Sequence, residues 1–137
     1  MKTFIGIAGA LCLALAASGC SKNDTTTSPS TTTSPTTMTF ASQVSVKGGT
    51  ARTFTMSSAG TVKVTLVTLG NGTVRAGLGL GIPATSAPCS LAYSLVTGPS
   101  STPQIVTSAD AGTYCVQVYD SGTLTSDTEF SVTVEHP

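Results

Sequence analysis

Val74-Arg75-Ala76-Gly77-Leu78-Gly79-Leu80-Gly81-Ile82 sets five apolar side chains on alternate positions, with one arginine and three glycines between them. A period of two puts alternate side chains on opposite sides of a strand, whereas a helical face needs apolar residues three and four apart. The stretch therefore predicts a strand with one oily face and one bare face. Glycines in a strand let another backbone or a cross-strand aromatic ring approach closely. A functional version of the same feature is a shallow groove where the bare face meets Tyr93 or Tyr119 and receives a sugar or a peptide, with the ring supplying the contact. Gly77-Leu78-Gly79-Leu80-Gly81 has the wrong period for a nucleotide-binding loop, and no helix follows it.

Outward from this strand the alternation repeats. Over 60–69, Val62, Val64 and Leu66 share a face opposite Lys63 and Thr65. Over 50–57, Phe54 and Met56 point inward, and Ser57-Ser58-Ala59-Gly60 makes the turn between these two runs. Gly70-Asn71-Gly72 is a hairpin signal. Tyr114, Val116 and Val118 take one side of 113–119, and Phe130, Val132 and Val134 one side of 128–135. Weaker runs at 39–46, 91–96 and 104–108 bring the count to seven or eight strands. The expected fold is all-β: a small antiparallel sandwich, jelly-roll or immunoglobulin-like, over 38–137.

The segment ahead of it reads differently. Met1-Lys2 gives a positive start and residues 4–17 are an almost unbroken apolar run, the parts of a secretory signal too short for a comfortable membrane span. Ala17-Ser18-Gly19-Cys20 resembles the lipobox of bacterial lipoproteins, although the family prefers Leu where Ala17 stands. The resemblance implies that residues 1–19 are removed, and that Cys20 carries diacylglycerol and, in the mature protein, a further palmitate-type chain. At roughly 0.8 kcal/mol per buried CH₂, two or three acyl chains hold a protein on a membrane where one does not. Ser21 after the anchor, rather than Asp, fits the outer membrane or cell surface better than the inner membrane. Residues 21–37 hold twelve Ser or Thr, two Pro and no large apolar side chain, so nothing offsets the entropy of ordering them. Residues 20–37 are thus expected to be a disordered stalk, a spacer open to O-glycosylation.

With Cys12 in the signal segment and Cys20 acylated, Cys89 and Cys115 remain as a pair in an oxidising compartment, and a disulfide between them is expected. Because Tyr114, Val116 and Val118 take the core face, Cys115 should point outward with Gln117 and Tyr119, stapling the loop at 83–90 over an outer face. A redox-active pair would show a closer spacing than these two have.

Ala111-Gly112-Thr113-Tyr114-Cys115-Val116-Gln117-Val118-Tyr119, followed by Phe130-Ser131-Val132-Thr133-Val134, resembles the closing strands of bacterial pre-peptidase C-terminal (PPC-like) domains. That resemblance implies a small β-sandwich of the kind often attached to secreted enzymes, although no peptidase precedes it in this sequence. An immunoglobulin domain fits less well. There the corner tyrosine stands two residues before the cysteine, whereas Tyr114 and Cys115 are adjacent and Trp is absent.

Chemistry is sparse. Charged residues are 9% of the chain, and loss of Lys2 leaves five basic against six acidic side chains, which gives nucleic acid no electrostatic footprint. The only histidine, His136, is next to the C terminus, where a solvent-facing, fraying position is expected, a poor base for a Ser-His-Asp arrangement. Asp110, Asp120, Asp127, Glu129 and Glu135 sit beside turns or at outward strand positions. No catalytic residue, zinc site or cofactor is expected. Calcium is the one cation with a plausible home, at Asp120, Asp127 and nearby carbonyls. The functional expectation is a non-enzymatic, lipid-anchored envelope module that binds or supports an envelope protein or glycan. A carbohydrate- or calcium-dependent recognition domain using Tyr93, Tyr119, Asp120 and Asp127 is the alternative, and an atypical hydrolase relying on Asp120 or Asp127 the third reading.

Overall fold

The computed structural model describes residues 34–137, so the signal segment, Cys20 and most of the stalk lie outside the described residues. Within them the chain is all-β. Its strands are β1 (Thr36–Val44), β2 (Gly49–Met56), β3 (Gly60–Leu69), β4 (Ala76–Ile82), β5 (Ser90–Thr97), β6 (Ile105–Ala109), β7 (Gly112–Tyr119) and β8 (Thr128–His136). They form two four-stranded antiparallel sheets, ordered β1-β8-β3-β6 and β2-β7-β4-β5.

The order has a simple origin. β4 pairs with β5, β3 with β6, β2 with β7 and β1 with β8, so the chain is one long nested hairpin whose tip is the loop at 83–89. The hairpin is folded over, and pairings β3-β8 and β4-β7 then join its turns into two sheets. This is the eight-stranded jelly roll.

Alternation decides which side chains meet between the sheets. From one sheet come Phe40, Val62, Val64, Leu66, Phe130, Val132 and Val134; from the other Phe54, Met56, Leu78, Leu80, Val116 and Val118, all buried. Phe40 meets Phe130 edge-on at 5.7 Å between ring centres, and Phe54 stacks on Tyr114 at 5.9 Å. Hydroxyls cover the opposite face of the first sheet, where Thr39 bonds Thr133 and Thr68 bonds Ser131 across strands. Thr, with its branched β-carbon, suits that half-exposed pleated surface.

Five local expectations are corrected. Gly70-Asn71-Gly72 does make a tight turn, with Gly70 and Gly72 at positive φ and the Gly72 N–H donating to the Leu69 carbonyl at 2.9 Å. It closes no hairpin, because both edges of β3 are already taken by β8 and β6, and the chain crosses to the other sheet. The strand expected from Val74 begins at Ala76, and Ile82 is 56% exposed where the ladder to β5 shifts register. β1 starts at Thr36, inside the expected stalk, because Thr36 and Thr37 find partners in His136 and Glu135. The same strand stops at Val44, leaving Val46 exposed in the following turn.

The fifth correction concerns His136. It does not fray into solvent: it is 7% exposed, the last of the inward series Phe130, Val132, Val134, His136, and its ring lies 5.1 Å from that of Phe54. The alternation of β8 runs one residue further than its apolar residues do, and an imidazole has an apolar body that can close a core edge.

Candidate functional site

Strand direction sorts the loops into two groups. One end of the sandwich carries the connections at 57–59, 83–89 and 110–111, together with the start of β1 and the C terminus. The other carries 45–48, 70–75, 98–104 and 120–127. The second group is the more elaborate, and its loops bond to one another and to the strands. Asp120 N–H donates to the Gly48 carbonyl at 2.9 Å, Thr123 Oγ1 to the Arg75 carbonyl at 2.6 Å, and Ser100 N–H to the Leu66 carbonyl at 2.8 Å. Gln104 fills the gap beside β3 where β6 does not reach. Its Oε1 accepts from the Leu66 N–H at 2.8 Å and its Nε2 donates to the Gly98 carbonyl at 3.0 Å. Lys47, Arg75, Asp120, Asp127 and Glu129 place charges of both signs on this end.

Asp120 organises it. One carboxylate oxygen accepts from the backbone N–H groups of Gly122, Thr123 and Leu124 at 2.8–3.1 Å, and the other from Lys47 N–H at 2.8 Å. Lys47 is the one described non-glycine residue at positive φ, 59°, a conformation that costs energy unless its surroundings hold it. The donor from Lys47 is the largest influence on Asp120, followed by that from Leu124. Desolvation acts the other way and comes next, but with the donors from Gly122 and Thr123 added the hydrogen bonds outweigh it and hold the carboxyl below its ordinary 3.8. A depressed folded value means that the carboxylate stabilises the fold fully above pH 3.8, and that this contribution disappears as pH falls through the lower folded value. Asp120→Asn should therefore be less stable than the wild type at neutral pH and show a flatter acid limb. Thermal unfolding from neutral to strongly acid pH checks this; two parallel curves would show the carboxylate to be irrelevant.

Asp127 does related work nearby, its Oδ1 accepting from Val46 N–H at 3.1 Å and its Oδ2 from Ser45 Oγ at 3.4 Å. The two aspartates thus clamp the β1–β2 turn from both sides. A cation at Asp120 would have to displace four N–H donors that already occupy its lone pairs. Asp127 also borders a polar cleft of about 510 Å³ with Asn71, Thr125, Ser126 and Glu129.

The outer face of the second sheet is where the glycines of β4 lie. Cys115 points outward, as the phase of β7 requires, and is bonded to Cys89, with 5.9 Å between the Cα atoms. The tip of the long hairpin is thereby folded over that face. A Cβ on Gly77 would overlap the ring of Tyr119, one on Gly79 would meet the Leu91 side chain at 2.6 Å, and one on Gly81 would overlap the Ser90 carbonyl. The bare face is thus already filled, by this chain's own ring, leucine and backbone. What remains is a cleft of about 400 Å³ at its margin, lined by Lys47, Gly48, Gly49, Pro88, Leu91, Gln117, Tyr119 and Asp120.

Tyr93 stands elsewhere. It is opposite Leu80 in the ladder, on the inward side of the edge strand β5, and its hydroxyl accepts from Thr107 Oγ1 at 2.9 Å across the seam between the sheets. With Leu80, Ile82, Ala109 and Tyr114 it lines a small apolar groove of about 250 Å³. The four expected ligand-binding residues are therefore dispersed: Tyr119 and Asp120 share one cleft, Asp127 borders a second and Tyr93 a third. The role of Gln104 leaves no mark in the sequence beyond a polar residue after Pro103.

Tyr114 caps the β6–β7 corner, its hydroxyl donating to the Asp110 carbonyl at 2.9 Å. That is the contact a tyrosine corner makes, here in a domain with a different strand order. A scan against family models finds no match to the chain, and a search of curated proteins finds none either.

Proposed function

We propose that this chain is a non-enzymatic module moored to a membrane by lipid on Cys20, carried on the Ser/Thr stalk, and presenting the loop-bearing end of its sandwich to an envelope or surface component. The observation that carries the reading is the polarity of the fold. A tether ending at Thr36 enters at the end that also holds the C terminus, so the bonded loops 45–48, 70–75, 98–104 and 120–127 lie at the far end. Loops held by a rigid scaffold are the usual seat of recognition. The reading as a non-enzyme is supported by His136, whose ring is packed on Phe54 with Nδ1 bonded to the Pro137 carbonyl, leaving it poorly placed to serve as a base for a substrate. The PPC-like resemblance, to small sandwiches often attached to secreted enzymes, is compatible with this role.

The test is fractionation of cells expressing the full chain. Wild type should partition with membranes and incorporate labelled palmitate, whereas Cys20→Ser should incorporate none, both resisting protease beyond Thr36. Equal labelling of the two, or an unlabelled wild type, would remove the anchor from the proposal. A second reading is favoured by the cleft beside Tyr119, where the Gln117 amide and Lys47 ammonium offer donors to a glycan. Titration with a glycan array, with and without calcium, decides it; uniform silence would end that reading.

A further inference from the structure

A sandwich of two open sheets has four edge strands, and each exposes a row of backbone N–H and C=O groups that can pair with another strand. Natural proteins blunt such edges by shortening them, bulging them, or placing an inward-pointing charge on them. Three of the four edges here carry one of these devices. β6 is only five residues long. β5 has a register shift opposite Leu80 and Gly81. β2 carries Arg52, opposite the buried Val116 in the ladder and so on the inward side of its strand.

β1 has none. Its nine residues, Thr-Thr-Met-Thr-Phe-Ala-Ser-Gln-Val, include no charge and no proline, and all nine keep an unbroken register with β8. One group near its end is occupied, the Gln43 carbonyl, which accepts from Thr50 Oγ1 at 2.7 Å. Among the described residues the open stretch is then Thr36 to Ser42, whose middle residue is Thr39.

We propose that β1 is a strand-addition edge whose occupant is a second copy of this chain, paired antiparallel about a two-fold axis at Thr39. Three observations favour self-pairing. A strand without charges meets no like-charge repulsion when placed against itself, and of the uncharged edges β1, β5 and β6 only β1 is both long and unbroken in register. About Thr39, Met38 falls opposite the partner copy's Phe40, and both are on the inward face; Met38 is only partly buried in one copy, so the two apolar layers would join. On the outward face, Thr39, Thr133 and Thr65 form a cross-strand row, with Thr39 bonded to Thr133 at 3.1 Å. The two-fold continues that row through Thr39 of both copies. Arg52, although on the other sheet, borders the same edge and lines a small cleft with Phe40, Ala41 and Ser42, so an added strand requires its exposed side chain to turn outward to solvent.

The proposal is independent of the mooring, because Cys20→Ser leaves β1 intact. The experiment uses the full chain with Cys12→Ser and Cys20→Ser, so that the Cys89–Cys115 bridge accounts for every remaining cysteine, and combines sedimentation with cysteine cross-linking. The mass should be twice that of one chain. Thr39→Cys should give a dimer that reductant splits, whereas Thr65→Cys, two strands in from the edge, should not. Ala41→Lys, outward and exposed on β1, should halve the mass while leaving a folded monomer whose melting temperature no longer depends on concentration. Should that variant fail to fold, Thr37→Lys takes its place. A monomer at every concentration, a dimer that survives both lysines, or cross-linking through Thr65 as efficient as through Thr39 would overturn the proposal.

Discussion

Replacing Cys89 and Cys115 together by alanine should lower the unfolding free energy by about 3 to 4 kcal/mol and the melting temperature by on the order of 15–25 °C. The bridge spans a sequence separation of 26. Constraining a loop of that size removes roughly 3.5 kcal/mol of chain entropy from the unfolded state, before any change in the folded one. The folded state also loses something here, because the bridge ties the hairpin tip onto the glycine face and leaves Cys115 fully buried. Small domains are stable by only about 5 to 15 kcal/mol, so the loss is a large share of the total. Urea unfolding of the double variant, and of wild type with and without reductant, measures it. A loss under about 1 kcal/mol would mean that the unfolded chain is already as confined without the bridge.

Gly81→Ala should be the other severe change, costing about 3 kcal/mol or more, at or above the usual range for overpacking. The added Cβ would overlap the Ser90 carbonyl carbon and oxygen and come within 2.8 Å of Leu91 Cα. All of these are backbone atoms of β5, fixed by the ladder in which Gly81 faces Leu91, so relief requires the strand to move. Gly77→Ala makes the informative comparison. Its obstacle is the ring of Tyr119, a side chain that can swing aside. Gly77→Ala should therefore cost less, and much of its cost should vanish in a Gly77→Ala/Tyr119→Ala chain, a coupling that thermal unfolding of the double-mutant cycle reads directly. No side-chain deletion should rescue Gly81→Ala. Equal costs at the two positions, or rescue at both, would show that the close approach at Gly81 yields as easily as a ring.

The fold was legible where period two was regular. The inward series of β3, β7 and β8 could be assigned from the residues because each strand buries one face and a slip by one residue would expose Val62, Val116 or Val132. The outward direction of Cys115 followed from the same phase. Strand pairing was not legible, since it depends on which edges remain free: Gly70-Asn71-Gly72 has the local chemistry of a hairpin turn, and only the occupation of β3 by β6 and β8 makes it a crossing. The glycine face was half legible. Close approach was expected, but a sequence cannot show that the approaching groups are Tyr119, Leu91 and the Ser90 backbone, which leave no open groove there. The dispersal of Tyr93, Tyr119 and Asp127 is a long-range property of the same kind. The role of Asp120 lay closer to the surface of the sequence, because Asp120-Ser121-Gly122 is a local side-chain-to-backbone turn signal whatever the topology.

The nesting of the hairpin also sets an order of pairing. Inner partners β4 and β5 are neighbours in the chain and can pair early, whereas β1 and β8 are the most distant pair, with Thr39 and Thr133 separated by 94 residues. Closing so long a loop costs entropy before its contacts contribute, so β1 is expected to dock last, and the uncharged strand is the one that spends longest without its native neighbour.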